Sequence, residues 1–153
     1  EIASCLVGSE MCIRDRLLSA VVYRYYNEAL SRNIKFTYDV RNVDIGKIEE
    51  IDITSILCDL LDNAMKVCDH ENPFIEITIH KGQPAGTIVI SVACSSEKEQ
   101  LMELREYVSA NIKKTVKKYN GDINIYFQDE DKTLHITVIL YEDIIENENT
   151  NMR

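Results

Sequence analysis

A two-layer α+β sandwich, a mixed β-sheet with helices on one face, is the fold class that the order of hydrophobic patterns predicts. Three segments repeat apolar residues at spacings of three and four, the mark of half-buried helices. Five shorter segments alternate with period two, and four of them fall into two pairs joined by short loops, which is the layout of hairpins. The 153 residues make one domain, long enough to bury a core without disulfides or metals. A net charge of -9 speaks against a nucleic-acid or anionic-membrane surface, and no apolar run reaches the roughly 18 residues of a membrane span.

The elements follow in order. Leu17 to Arg32 carries Leu17, Leu18, Val21, Val22, Tyr25, Ala29 and Leu30 at helical spacing, with Asn33 as the stop. Ile34 to Val40 alternates as a strand. Arg41 to Glu50 is polar with a turn at Gly46, and Asp52 is placed to cap a helix over Asp52 to Cys68. After a turn at Asp69 to Pro73, Ile75, Ile77 and Ile79 alternate with Glu76, Thr78 and His80, so His80 reads as a strand-face residue. Lys81 to Gly86 connects to Ile88, Ile90 and Val92, completing a hairpin. Leu101, Leu104, Val108, Ile112 and Val116 predict one long helix over Glu97 to Tyr119, stopped by Asn120-Gly121. Ile123 to Phe127 and Leu134 to Leu140 form the last hairpin, and Glu142 to Arg153 reads as an acidic, fraying tail.

Chemistry concentrates on Asp52 to Cys68. At 100° per residue Ile53, Ile56, Leu57, Leu60, Leu61, Ala64, Met65 and Cys68 share one face, while Asp59, Asp62, Asn63 and Lys66 gather on the other. A carboxylate, an amide and an ammonium thus stack over about two turns and suit a metal with a phosphate. A solvated polar face is the alternative. Cys58, Cys68 and Cys94 form no C-x-x-C pair, and His70, His80 and His135 have no metal-ligand spacing to them, so reduced thiols are expected.

The wording LCDLLDNAMKVC resembles the N-box of the GHKL family of ATP-binding domains, in the LLDNA form of quorum-sensing-type sensor kinases. The phrases YYNEALSRNIKF and NIKKTVKKYNGDINI resemble the lead-in and the last helix-strand pair of the same domains, so the resemblance covers Leu17 to Leu140. It implies a GHKL, or Bergerat-type, fold. It also implies a catalytic acidic position at Asp59, nucleotide and Mg2+ binding at Asn63, and a basic residue near the ATP phosphates at Lys66.

The resemblance breaks at the glycine boxes. Where the family carries D-x-G-x-G this chain has SVACSSEKEQ, and Glu106 and Val108 stand across the second box, with no glycine between Gly86 and Gly121. Glycine is needed there for φ > 0 and for bare N–H groups close to phosphate at a helix start. A non-glycine residue at φ > 0 costs about 1 to 2 kcal/mol, and each lost charge-assisted hydrogen bond about 1.5 to 3. Several thousandfold in affinity is at stake. MgATP is therefore expected to bind weakly or not at all, with the continuous helix in place of a nucleotide lid and Asn63 facing a cleft between the two helices.

The resemblance implies the C-terminal catalytic, ATP-binding-type domain of a sensor histidine kinase in bacterial two-component signalling, degenerate in nucleotide binding. The alternative is a non-catalytic pseudokinase module for dimerisation or response-regulator docking. The implied partners are a response regulator and a second copy, joined through missing upstream helices. No nucleic acid is implied, and the membrane enters only through a missing N-terminal sensor region, leaving this part as a cytoplasmic domain. The phospho-accepting histidine is absent from the first helix. LVGSEMCIRDR, Leu6 to Arg16, resembles a translated sequencing adapter, so residues 1–16 are expected to be an artefact, 17–141 the domain and 142–153 a flexible tail.

Overall fold

The computed structural model describes residues 16–40, 48–68, 71–83, 85–108 and 110–142. The adapter-like stretch before Arg16, the turn at Gly46 and the tail beyond Glu142 lie outside them. Helix α1 (Arg16–Ser31) buries Leu18, Val22, Tyr25 and Ala29, one stripe at spacings of four, three and four. It ends as expected near Asn33, whose left-handed φ of 57° an asparagine tolerates. Strand β1 (Lys35–Val40) follows, and helix α2 (Glu50–Val67) leads to strand β2 (Phe74–Lys81). Parallel strands need a crossover, and α2 supplies it: β1 and β2 pair parallel, with Phe36 opposite Ile75 and Tyr38 opposite Ile77.

Strand β3 (Thr87–Ser95) returns antiparallel to β2 as the expected hairpin. Helices α3 (Gln100–Tyr107) and α4 (Ala110–Lys118) then carry the chain to strands β4 (Asp122–Gln128) and β5 (Thr133–Tyr141). Strand β5 inserts between β3 and β4, so the mixed sheet runs β1-β2-β3-β5-β4. Period-two alternation sends Ile75, Ile77, Ile79, Ile88, Ile90, Val92, Leu134, Ile136, Val138 and Leu140 to the helix side, where each is at most 1 % exposed. The intervening Thr78, His80, Ser91, His135 and Thr137 are only half-buried on the other face. The α+β class with helices on one face of a mixed sheet is thus the observed one.

Two expectations fail. The single helix over Glu97 to Tyr119 is two helices, because Val108 takes φ -57° and ψ 110° and leaves the helical region. The apolar spacing explains the break. Leu104, Val108, Ile112 and Val116 recur every four residues, and each step of four overshoots a full turn by about 40°. Across three steps the stripe wanders by about 120°, so a straight helix could not hold both ends on one surface. The break resets the phase, and Ile112 and Val116 are buried on α4. Nor does Asp52 cap α2: the helix begins at Glu50, its N-cap position is Glu49 without a side-chain cap, and Asp52 lies in the first turn with its carboxylate committed elsewhere.

The stop at Asn120-Gly121 divides its work between the two residues. Asn120 takes the left-handed turn with φ 51°. Gly121 returns its N–H to the Val116 carbonyl at 2.8 Å and passes so close to β5 that a Cβ there would lie 2.0 Å from the Ile139 carbonyl oxygen.

Candidate functional site

Helix α2 is the spine of the candidate site. Its apolar face is buried in full: Ile53, Ile56, Leu57, Leu60, Leu61, Ala64 and Met65 all lie in the core. Asp59 and Asn63 are half-buried one turn apart on the opposite face, and Lys66 is exposed in the last turn. Their Cβ atoms are about 5 to 6 Å apart by helix geometry. The fourth polar residue is diverted. The Tyr25 hydroxyl, on α1, donates to Asp62 Oδ1 at 2.6 Å and lies 3.2 Å from the Cys58 carbonyl oxygen. Burial, and then the hydrogen bond to Asp62, push the Tyr25 hydroxyl above its ordinary pKa, so it stays a neutral donor. Asp62 is a clamp between helices, and Asp59, Asn63 and Lys66 make up the rest of the polar face of α2.

The two ends of α2 are tied as well. Arg32 Nη2 donates to the Met65 carbonyl at 2.9 Å, satisfying a last-turn oxygen that the helix leaves unpaired. At the start, Tyr119 donates its hydroxyl to Asp52 Oδ2 and accepts the Glu49 N–H at 3.1 Å. Lys118 Nζ reaches the same Asp52 oxygen at 2.8 Å and Glu49 Oε1 at 3.3 Å. Burial pulls Asp52 upward, but the hydrogen bonds from Lys118 and Tyr119 outweigh it and hold the carboxyl below its ordinary range. Sequence reasoning missed Tyr25, Arg32 and Tyr119 as partners of α2. The only signal was a tyrosine on each apolar stripe, with no hint of which carboxylate it meets.

Helix α2 packs against both α3 and α4. Arg105 Nη2 donates to the Ile125 carbonyl at 3.2 Å and fastens α3 to the sheet's outer strand. Val108 is half-buried against the core, and the side chain of Glu106 lies outside the described residues. Asn63 lines none of three cavities formed elsewhere, of which the largest, about 690 Å³, lies at Asn33, Lys35, Asn72 and Glu76. Among the described residues no group of three or more His, Cys, Asp and Glu could hold a metal ion. Cys58, Cys68 and Cys94 are free thiols. Burial, with a lesser push from Cys68, raises the Cys94 thiol to about 12.

Known proteins place this geometry. A family model described as the GHKL domain matches residues 48–139, from the start of α2 to near the end of β5. The chain belongs to the GHKL domain family. The catalytic domain of histidine kinase ThkA is 17% identical with a TM-score of 0.65, covering 83% of this chain and 92% of its own. The mycobacterial sensor histidine kinase MprB is 14% identical with a TM-score of 0.57, covering 81% of this chain and 95% of its own. The cytoplasmic segment of histidine kinase QseC is 15% identical with a TM-score of 0.58, covering 83% of this chain and 74% of its own. At these identities the likeness is one of fold, and this GHKL domain has the fold of histidine-kinase catalytic domains. No curated protein matches the sequence. No helix among the described residues is long and apolar enough to cross a membrane.

Of the residues assigned to the second glycine box, Arg105 to Ala110, the first three end α3 and Val108 lies at φ -57° rather than φ > 0. The chain thereby avoids the strain that a left-handed valine would carry. Between Gly86 and Gly121 the sequence also holds no glycine to bring a bare N–H close to a phosphate.

Proposed function

We propose that the chain is the C-terminal catalytic, ATP-binding-type domain of a sensor histidine kinase in two-component signalling, with nucleotide binding weakened or lost. One observation carries the reading: the N-box pair Asp59 and Asn63 sits half-buried on α2, while the residues aligned with the phosphate cradle, which include no glycine, end helix α3 and continue to Val108. Mg2+ is octahedral, dehydrates reluctantly and is held mainly through substrate phosphates, so one carboxylate and one amide hold it poorly by themselves. Lys66 adds a single exposed charge. These residues do not fit tightly held MgATP.

A second reading is favoured by the anchoring of α3 through Arg105 to Ile125: a pseudokinase module that keeps the fold to dimerise or to dock a response regulator. Under either reading the domain spans residues 17–141, between an N-terminal stretch to be set aside and an acidic C-terminal segment from 142. Family resemblance supports a homodimer through helices upstream, a response regulator as partner, and a cytoplasmic position beneath a membrane-bound sensor region.

Calorimetric titration with MgATP tests the weakened nucleotide binding on which both readings rest. The expected result is no measurable heat below millimolar nucleotide. Binding at low micromolar strength that Asn63→Ala abolishes would overturn the argument from the missing glycines and make the domain a working kinase module.

A further inference from the structure

We propose that the outward face of α4, formed by Lys113, Lys114 and Lys117, is a docking surface for a carboxylate-rich segment of a partner protein. Helix α4 carries four lysines in nine residues of a chain whose net charge is -9. Setting the buried Ile112 at 0°, Lys113, Lys117 and Lys114 fall at about 100°, 140° and 200°, one contiguous outward face. Lys118 falls at about 240°, on the flank where it pairs with Asp52 and Glu49. The other three are exposed, and no carboxylate of the described residues pairs with them. The helix dipole accounts for basic residues in the last turn, Lys117 and Lys118, but Lys113 and Lys114 lie a turn earlier.

The face is also shaped. Lys113 and Lys117, one turn apart, line an open depression of about 480 Å³ together with Asn120, Gly121 and Asp122. Three ammoniums against one carboxylate leave a local charge of +2. The Asn120 amide adds donors, and Asp122 can accept from a partner's backbone N–H. A local cluster of carboxylates matches this pattern. An extended polyanion does not, because the negative charge of the rest of the chain repels it. The surface is independent of the nucleotide reading, since none of these lysines belongs to the N-box.

The test is an NMR titration of the full chain with a short peptide that carries a few Glu residues spaced by Ser, a local cluster of carboxylates, as the acidic probe. Amide shifts are expected to centre on Lys113 to Ile123 and to weaken with added salt. The double variant Lys113→Gln/Lys117→Gln should bind about tenfold more weakly, whereas Lys35→Gln, at an exposed lysine of β1, should bind as the parent does. Absence of shifts, shifts elsewhere, or unchanged binding by the double variant overturns the proposal. So does tighter binding to inorganic phosphate, phosphatidylserine vesicles or single-stranded DNA than to the peptide. A chain ending at Glu142 supplies the remaining arm. If the peptide binds only after that truncation, the occupant is the chain's own acidic segment and the partner proposal falls.

Discussion

Replacing Tyr119 by Phe isolates the polar lock between α4 and the start of α2. At Tyr119, 8 % exposed as a residue, phenylalanine keeps the ring and deletes only the hydroxyl. Two interactions go with it: donation to the ionised Asp52 and acceptance from the Glu49 N–H at 3.1 Å. A hydrogen bond to a charged group contributes about 1.5 to 3 kcal/mol. Two features pull the loss to the lower end of that range. Asp52 keeps Lys118 at 2.8 Å, and Glu49 is exposed, so water replaces the tyrosine oxygen at its amide. The expected cost is about 1.5 kcal/mol, or roughly 3 to 6 °C in Tm for a domain of this size. Urea unfolding at pH 7 measures it, with calorimetry as the second probe. The pH dependence gives a sharper check. The fold lowers the Asp52 carboxyl below its ordinary 3.8, so its contribution is complete above that value and is lost as pH falls through the lowered one. The gap between parent and variant should therefore be full at pH 6 and shrink below about pH 4. A gap that is absent at pH 7, or that widens in acid, would refute the assignment of Asp52 as the acceptor.

Gly121→Ala should destabilise by about 3 kcal/mol, as a forced backbone clash does, because its Cβ would meet the Ile139 carbonyl at 2.0 Å. Loss of amide protection at the β4–β5 ends, with Asn120→Gly tolerated as a control, distinguishes that clash from a general loss of helix. The Cys94 thiol, raised to about 12 and buried in full, should resist iodoacetamide at pH 8 while the native state persists. Peptide mapping that finds Cys94 alkylated as fast as a free thiol would contradict its burial.

Hydrophobic spacing alone determined most of this fold. Every residue assigned to the apolar face of α2 is buried, and the five strands and both hairpins lie where period-two alternation put them, because burial on one face imposes a local repeat that survives in one dimension. The family was legible for a similar reason: the N-box is a contiguous run on a single helix. What the spacing could not carry was direction between elements. The wandering stripe of Leu104 to Val116 held the sign of a break, yet only the surface beneath it decided that the chain bends at Val108. Likewise the polar face of α2 read as one cluster of four, and tertiary packing divided it. Asp62 and Asp52 face Tyr25 and Tyr119, which are 37 and 67 residues away in sequence. A hydroxyl and a carboxylate so far apart leave no common period in the chain. Their meeting is set by how α1 and α4 lie against α2, and that arrangement, more than the N-box itself, decides what Asp62 and Asp52 meet.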